Sequence, residues 1–222
     1  RSRGLGDVYK RQEFNKKNRA MKLKVCGMKY PENIKLISEL GPDFMGFIFY
    51  KNSKRYIDKH DIPTINKNIK KVGVFVDPKI EYLNKMVNKH ELDIVQLHGN
   101  ETPEFISKIN NIKIIKAFAI DPNFNFNVLK NYLSCDYFLF DTAGKLPGGN
   151  GISFDWNILS DYKINKPFFL SGGIGINSLK KFKRFLNSVI SKNCVAIDIN
   201  SQFEIDFGIK DFQLIKNFIN EL

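Results

Sequence analysis

Short apolar segments alternate with longer helical or polar stretches along most of the chain, and this alternation constrains the fold most strongly. The segments are rich in Val, Ile and Phe and recur roughly every 20–25 residues from Met21 onward. Most are unbroken apolar runs, which are typical of parallel strands covered on both faces. The pattern predicts eight strands, at Leu23–Met28, Phe44–Tyr50, Val72–Val76, Ile94–His98, Ile112–Ile120, Tyr137–Asp141, Phe168–Ser171 and Val195–Ile199.

Apolar residues at helical spacing lie between these strands. The clearest predicted helices are Pro31–Leu40, Pro78–Lys89, Asn177–Ile190 with Asn177 as its N-cap, and Asp211–Leu222. Eight strands alternating with about eight helices are typical of a (β/α)8 barrel. An open doubly wound sheet usually carries G-x-G-x-x-G after its first strand, whereas here the first strand ends in Cys26-Gly27-Met28. The sequence therefore favours an α/β fold with a single (β/α)8 TIM barrel over residues 21–222.

The chain is strongly basic, with a formal net charge of +12, and such a charge suggests nucleic-acid binding. Residues 1–20 contain seven Lys or Arg and two acidic residues, so they carry +5 of this charge. Met21 directly follows this segment, and we expect residues 1–20 to be a non-native or disordered leader. The many phenylalanines fall in strands and helix stripes, which indicates a core rather than an exposed surface for stacking bases. We therefore expect no nucleic-acid partner.

The cysteines and the hydropathy of the sequence argue against three further classes of protein, namely disulfide-bonded, zinc-stabilised and transmembrane proteins. Cys26, Cys135 and Cys194 are far apart, odd in number and outside any C-x-x-C pair, which argues against disulfides and structural zinc and for a reducing compartment. The sequence lacks an apolar stretch of about 18 residues, so a transmembrane helix is not expected. We expect a cytoplasmic enzyme with no membrane partner.

The barrel prediction indicates where functional residues lie. In (β/α)8 enzymes these residues follow the C-terminal ends of the strands. The candidates at these positions are Cys26, Lys54-Arg55, Asp77, His98-Gly99, Lys116, Asp141-Thr142, Ser171-Gly172-Gly173 and Asp198–Ser201.

Two of these loops are suited to phosphate. Ser171-Gly172-Gly173 follows the seventh strand and leads into a helix, and Asn200-Ser201 follows the eighth. Glycines let the backbone approach an anion, and barrels often bind phosphate at this pair of loops. The sequence thus predicts a phosphorylated small-molecule ligand. The long loop at 143–153 is either a lid or an insertion without a task.

Several side chains are candidates for acid–base chemistry. Cys26 is either a base or nucleophile or a small buried hydrophobe. Asp141 ends an otherwise apolar strand and must be paired, solvated or catalytic. Asp198 is either catalytic or an acceptor for backbone N–H groups of the phosphate loops. Lys116 is a possible Schiff-base lysine, and His98 is either a proton carrier or a polar wall residue.

Nine motifs in order and at matching spacing resemble those of the phosphoribosylanthranilate isomerase family of tryptophan biosynthesis. They are Lys24–Met28, Gly46–Tyr50 with Ser53–Ile57, Val72–Val76, Val95–Gly99, Phe140–Thr142, Gly148–Gly151 before Phe154–Trp156, Leu170–Ile174, Asp198–Ser201 and Gly208–Asp211. The resemblance covers essentially all of residues 21–222 and implies a barrel of the ribulose-phosphate-binding type.

The resemblance also implies a reaction, the Amadori rearrangement of N-(5′-phosphoribosyl)anthranilate to 1-(2-carboxyphenylamino)-1-deoxyribulose 5-phosphate. It assigns Asp141 as the general acid that opens the sugar ring and Cys26 as the general base that removes the C2′ proton. Arg55 matches the arginine that meets the anthranilate carboxylate. The other implied substrate-binding residues are Gln96, His98, Ser171, Gly172, Gly173, Asn200 and Ser201. We expect no cofactor, no metal, and a monomer or homodimer.

One position departs from the family pattern. Gln202 follows Asn200-Ser201 where the family usually has glycine, so a positive φ there would strain the last phosphate loop. Two related barrels are less compatible with the site. The histidine-pathway isomerase would have an aspartate in place of Cys26, and indole-glycerol-phosphate synthase would rely on catalytic lysines and a longer N-terminal extension.

Overall fold

Eight parallel strands close into a barrel in the computed structural model, which describes residues 21–57, 61–144 and 154–222. The strands are β1 Lys22–Val25, β2 Phe44–Ile48, β3 Lys70–Phe75, β4 Ile94–Leu97, β5 Lys113–Ile120, β6 Tyr137–Thr142, β7 Phe168–Leu170 and β8 Cys194–Ile199. Each strand pairs with the next one along the chain, and β8 pairs with β1. The predicted (β/α)8 barrel is confirmed. Residues 1–20 and most of the long loop at 143–153, for which a lid is one of two interpretations, lie outside the described residues.

The connections contain fewer α-helices than the predicted eight, and this prediction is wrong for the described part of the chain. Five α-helices are present there, α1 Pro31–Ser38, α2 Ile80–His90, α3 Pro103–Ile106, α4 Leu179–Leu186 and α5 Phe212–Glu221. The connections after β5 and β6 form 3-10 helices instead, at Phe126–Tyr132 and Trp156–Asp161. The side chains of Asn125 and Asp155 cap these turns by accepting from the backbone N–H two residues on. Such local side-chain bonds compete with α-helix formation.

The predicted helix Asn177–Ile190 is interrupted, and Asn177 is not its N-cap. The segment begins with a 3-10 turn at Ile176–Ser178, continues as α4 and ends in a second 3-10 turn at Val189–Asn193. The Ser178 hydroxyl donates to the carbonyl of Gly175 and accepts from its N–H, which stabilises the tight first turn. The predicted last helix fits better, because the Asp211 carboxylate accepts from Leu214 N at 2.9 Å and caps α5.

The barrel interior changes from apolar to polar toward the C-terminal ends of the strands. Val72, Ile94, Ile115, Leu139, Phe169 and Ala196 form one buried apolar cluster inside the barrel. Because side chains alternate along a strand, the residue two positions later faces the same interior. In four strands that residue is polar, namely Gln96, Asp141, Ser171 and Asp198. Side-chain alternation therefore directs these groups into the mouth of the barrel.

A hairpin that the sequence analysis did not predict follows β8. It consists of β9 Glu204–Asp206 and β10 Ile209–Lys210, which pair antiparallel. Asn33 of α1 holds the hairpin, because its amide donates to Lys210 O at 2.9 Å and accepts from Lys210 N at 2.8 Å. The hairpin therefore lies fixed beside the mouth of the barrel. Among the described helices, none is long and apolar enough to cross a membrane.

Candidate active site

A cavity of about 440 Å³ opens at the C-terminal ends of the barrel strands. It brings together all the catalytic and substrate-binding residues that the family resemblance implied. These are Cys26, Arg55, Gln96, His98, Asp141, Ser171, Gly172, Gly173, Asn200 and Ser201. The lining also includes Asp198, Gln202 and Phe207. Acidic, thiol, cationic and glycine-loop groups thus line one cavity.

Cys26 follows β1 directly and is 4% exposed. Its backbone N–H donates to Ile199 O at 2.8 Å, which joins the end of β1 to the end of β8. Gly46 of β2 leaves room for the thiol, because a Cβ at that position would lie 2.7 Å from Cys26 Sγ. The sulfur is therefore held in a fixed place at the cavity wall.

Gly27 has a left-handed backbone conformation and lies close to two side chains of the site. Its φ is +76°, and a Cβ there would lie 2.6 Å from Asn200 Oδ1 and 2.7 Å from Arg55 Cδ. These two side chains occupy the space beside the glycine. Gly27 therefore permits the close approach of two groups that line the cavity.

A buried ion pair lies next to the Cys26 thiol. Lys24 Nζ donates to Asp198 Oδ2 at 2.9 Å, and both side chains are almost fully buried. Burial raises the pKa of Cys26 above its usual range, and the Lys24 cation acts in the opposite direction. Asp198 is therefore held by a lysine and not by the backbone N–H groups of the phosphate loops, the structural alternative considered from the sequence.

Asp141 lies in contact with His98. Asp141 Oδ2 is 3.3 Å from His98 Nε2, and its Oδ1 accepts from Thr142 N at 2.8 Å. The second ring nitrogen, Nδ1, lies 2.9 Å from the Gln96 amide nitrogen. His98 is thus more than a wall residue, because its two nitrogens connect Asp141 to Gln96.

Arg55 reaches the cavity from the loop after β2 and is held by Glu204 of β9. Its Nε lies 2.8 Å from Glu204 Oε1, and its Nη2 lies 2.6 Å from Oε2. Lys210 Nζ is 2.7 Å from both Glu204 Oε1 and Asn200 Oδ1. A chain of buried charges therefore connects Arg55 to one of the two predicted phosphate loops.

The two phosphate loops keep their backbone close to the cavity. Gly172 and Gly173 have φ values of +91° and +61°, a region that favours glycine. A Cβ on Gly172 would overlap Thr142 Oγ1 and lie 2.9 Å from Thr142 N. Gln202 lies in a 3-10 turn, Ser201–Phe203, and is not among the residues with positive φ, so the strain considered from the sequence does not arise.

Lys116 is a structural residue and not a Schiff-base candidate. Its ammonium donates to Gly99 O at 2.7 Å and to Glu101 Oε2 at 3.0 Å, and it does not line the cavity. Asp77 is similarly engaged, because its Oδ1 accepts from Asn100 N at 2.6 Å. Both side chains stabilise the loop after β4, which positions His98.

The other two cysteines, Cys135 and Cys194, are buried outside the cavity. Burial raises the pKa of Cys135 to about 11 and that of Cys194 to about 12. Within the described ranges, no group of three or more His, Cys, Asp or Glu side chains is placed to hold a metal ion.

Sequence reasoning did not identify Lys24, Glu204, Phe207 or Lys210 as part of the site. Lys24 had a usable signal, since a lysine inside a short apolar strand and two positions before Cys26 must face the same interior. The other three lie in the hairpin. Glu204 and Phe207 contact Arg55, and Lys210 contacts Asn200, only because the hairpin folds back over the barrel mouth, which the local pattern does not reveal.

The chain is similar to known proteins of one family. A family model described as N-(5′phosphoribosyl)anthranilate (PRA) isomerase matches residues 23–221. An N-(5′-phosphoribosyl)anthranilate isomerase from Parabacteroides distasonis is 40% identical over 212 residues, covering 91% of this chain and 93% of that protein.

Two solved structures share the fold and similar sequences. One is a phosphoribosyl anthranilate isomerase in complex with reduced 1-(o-carboxyphenylamino)-1-deoxyribulose 5-phosphate, with a TM-score of 0.72 and 28% identity, covering 90% of this chain and 97% of that one. The other is a monomeric form of the dimeric isomerase from Thermotoga maritima, with a TM-score of 0.71 and 27% identity over 90% and 97% of the two chains.

Proposed function

The chain belongs to the N-(5′-phosphoribosyl)anthranilate isomerase family of tryptophan biosynthesis, and we propose that Cys26 and Asp141 carry its proton transfers. The observation that carries this assignment is their placement in one cavity. An Amadori rearrangement needs one acid and one base on the same sugar, and no other group has to be supplied for the net reaction. A buried thiol and a carboxylate at the mouth of the barrel meet this need.

The substrate has two anionic ends, and the cavity has complementary groups for each. The loops at Ser171–Gly173 and Asn200-Ser201 receive the 5′-phosphate, since exposed backbone N–H groups and glycines suit this anion. Arg55 receives the anthranilate carboxylate, for which a planar guanidinium is suited. The ribose then lies between Cys26 and Asp141.

Asp141 supplies the first proton. It protonates the furanose ring oxygen, the bond from this oxygen to C1′ breaks, and the anthranilate nitrogen forms a Schiff base with C1′. Asp141 must hold a proton on Oδ2 for this step, and His98 Nε2 at 3.3 Å can accept that proton in a hydrogen bond. The second ring nitrogen, Nδ1, then donates, so the Gln96 amide, whose nitrogen lies 2.9 Å from Nδ1, must turn to present its oxygen, which is buried and has no partner among the described residues.

Cys26 performs the second step as a thiolate. It removes the proton from C2′, and the electron pair moves toward the Schiff base to give an enolamine. The enolamine gains a proton at C1′ as its C2′ hydroxyl becomes the ketone, so atoms and charge balance over the whole reaction. Asp198 Oδ1 lines this region, is buried and lacks a partner in the described chain, so it suits a ribose hydroxyl.

Complementation and a direct assay test the assignment. The chain should restore growth without tryptophan in an isomerase-deficient host, and purified protein should consume the fluorescent anthranilate substrate. Cys26→Ala and Asp141→Asn should each lower kcat by about 10²–10⁴-fold while the circular dichroism spectrum stays unchanged. Wild-type rates in both variants would overturn the proposed roles, and failure of the unmodified chain in both assays would overturn the activity.

A further inference from the structure

The Arg55 guanidinium is held from two directions by the hairpin that follows β8. Glu204 accepts from Nε at 2.8 Å and from Nη2 at 2.6 Å, so both oxygens of one carboxylate lie along one edge of the guanidinium. The Phe207 ring lies against the same group, with its centroid 5.3 Å from Arg55 Cζ. Glu204 thus contacts one edge of the guanidinium, and Phe207 contacts one face.

The geometry of the guanidinium shows what this arrangement leaves available. A guanidinium has two edges that can bind a carboxylate with two parallel hydrogen bonds, one formed by Nε and Nη2 and the other by Nη1 and Nη2. Glu204 occupies the first edge. The second edge can therefore bind another carboxylate without displacing Glu204.

Glu204 is itself held in place. Its Oε1 accepts from Lys210 Nζ at 2.7 Å and from Gly208 N at 3.1 Å, and its side chain is 6% exposed. Burial alone would raise the pKa of Glu204, but the Arg55 hydrogen bond and the Lys210 charge outweigh it and hold the pKa below its usual range. The carboxylate is therefore charged and fixed at neutral pH.

We propose that Glu204 is a positioning residue that fixes Arg55 with its second edge toward the cavity and thereby sets the preference for arylamine substrates that carry a carboxylate. This inference rests on the proposed function, in which Arg55 meets the anthranilate carboxylate. A flexible arginine must lose rotamer freedom when it binds its ligand, whereas an arginine already fixed by Glu204 and Phe207 does not. The resulting gain in binding affinity applies only to substrates whose carboxylate binds Arg55.

The test compares two substrates on the same variants. One is N-(5′-phosphoribosyl)anthranilate, and the other is the phosphoribosyl derivative of aniline, which lacks the carboxylate. Glu204→Gln should lower the ratio of kcat/KM for the first substrate to that for the second by about tenfold, mainly through KM for the carboxylated one. Glu204→Asp keeps the charge beside Lys210 but shortens the side chain, so it tests the same effect if Glu204→Gln does not fold.

Repeating the Glu204→Gln substitution in an Arg55→Lys variant shows whether Glu204 acts through Arg55. A lysine cannot form the paired contact, so Arg55→Lys should lower the same ratio, and adding Glu204→Gln to it should lower the ratio no further. Asp206→Asn, at the exposed end of β9, is the matched control and should keep the wild-type ratio.

The outcomes separate this inference from the proposed function. If Glu204→Gln lowers kcat/KM equally for both substrates, Glu204 is only structural. If it changes kcat/KM for neither substrate, Glu204 does not position Arg55. Either result overturns the inference. If the wild-type chain does not convert the carboxylated substrate at all, the proposed function fails instead. Full additivity of the two substitutions also contradicts the inference, since it shows that they act independently.

Discussion

Lys24 Nζ lies 2.9 Å from Asp198 Oδ2, and the two residues are also direct partners in the pairing of β1 with β8. The lysine is fully buried, and Cys26, two residues along, faces the same barrel interior. Burying two charges is unfavourable unless they are paired, so each residue is needed to keep the other inside. The pair thus places a cation beside the proposed base.

The Lys24 cation should tune the pH dependence of catalysis. Burial raises the pKa of the Cys26 thiol, Lys24 lowers it, and Asp198 raises it. Lys24→Met removes the lowering effect, so the thiolate forms only at higher pH. The acidic limb of the kcat/KM profile, measured with the fluorescent substrate, should therefore move to higher pH.

A double substitution is the control for this prediction. Lys24→Met with Asp198→Asn removes both charges and leaves no unpaired ion in the barrel. Because Asp198 raises the Cys26 pKa, the acidic limb of the double variant should lie between those of the wild type and Lys24→Met. An unchanged limb in the single variant would show that Lys24 does not act on the thiol.

The glycine after Ser171 should be intolerant of even one methyl group. Gly172 has a φ of +91°, and its Cβ would lie 2.9 Å from Thr142 N, a backbone atom next to Asp141. Gly172→Ala should lower the free energy of unfolding by about 1–3 kcal/mol, because the strained backbone or the β6 strand must shift. It should also raise KM through the altered phosphate loop. Urea unfolding and steady-state kinetics measure the two effects.

Gly175→Ala serves as its matched control. Gly175 has an extended backbone with φ of −153°, which alanine adopts without strain, and its Cβ would lie 3.1 Å from Gln202 Cβ, a contact that a shift of a few tenths of an ångström relieves. Gly175→Ala should therefore lower the free energy of unfolding much less than Gly172→Ala does. Equal losses in the two variants would contradict the argument from backbone conformation.

The strands and the residues at their ends were predictable, because parallel strands leave continuous apolar runs and the barrel fixes which ends meet. The 3-10 helix at Phe126–Tyr132 was not, since its shape depends on local caps such as Asn125. The contact between Arg55 and Glu204 joins residues 149 apart in the sequence. No period or short motif encodes such a pair, and only the folded barrel brings the hairpin to the loop after β2.

Lys116 should matter for stability rather than for chemistry. Its ammonium pairs with Glu101 at 3.0 Å, and both side chains are almost fully buried. Lys116→Met would leave a buried carboxylate without its cation, so the free energy of unfolding should fall by about 3–5 kcal/mol. Below the lowered Tm, kcat should stay within severalfold of wild type. Loss of kcat by several orders of magnitude in folded protein would revive the Schiff-base role considered from the sequence.

Glu204 should make the stability of the chain dependent on acid. Its pKa in the folded state is held below the usual range because Arg55 and Lys210 outweigh the opposing effect of burial. A lowered folded pKa means that the unfolded state binds the proton more tightly, so the stabilisation is complete above the unfolded pKa of about 4.3 and is lost as the pH falls through the lower folded value. Glu204→Gln should therefore be less stable than wild type at pH 7, and the two unfolding free energies should converge toward pH 3. Urea unfolding from pH 3 to pH 7 measures this difference.

Glu221→Gln is the control, because it removes a 61% exposed side chain from an ion pair with Lys183 and should leave the wild-type pH dependence in place. A constant gap between Glu204→Gln and wild type across this range would contradict the ionic role of Glu204.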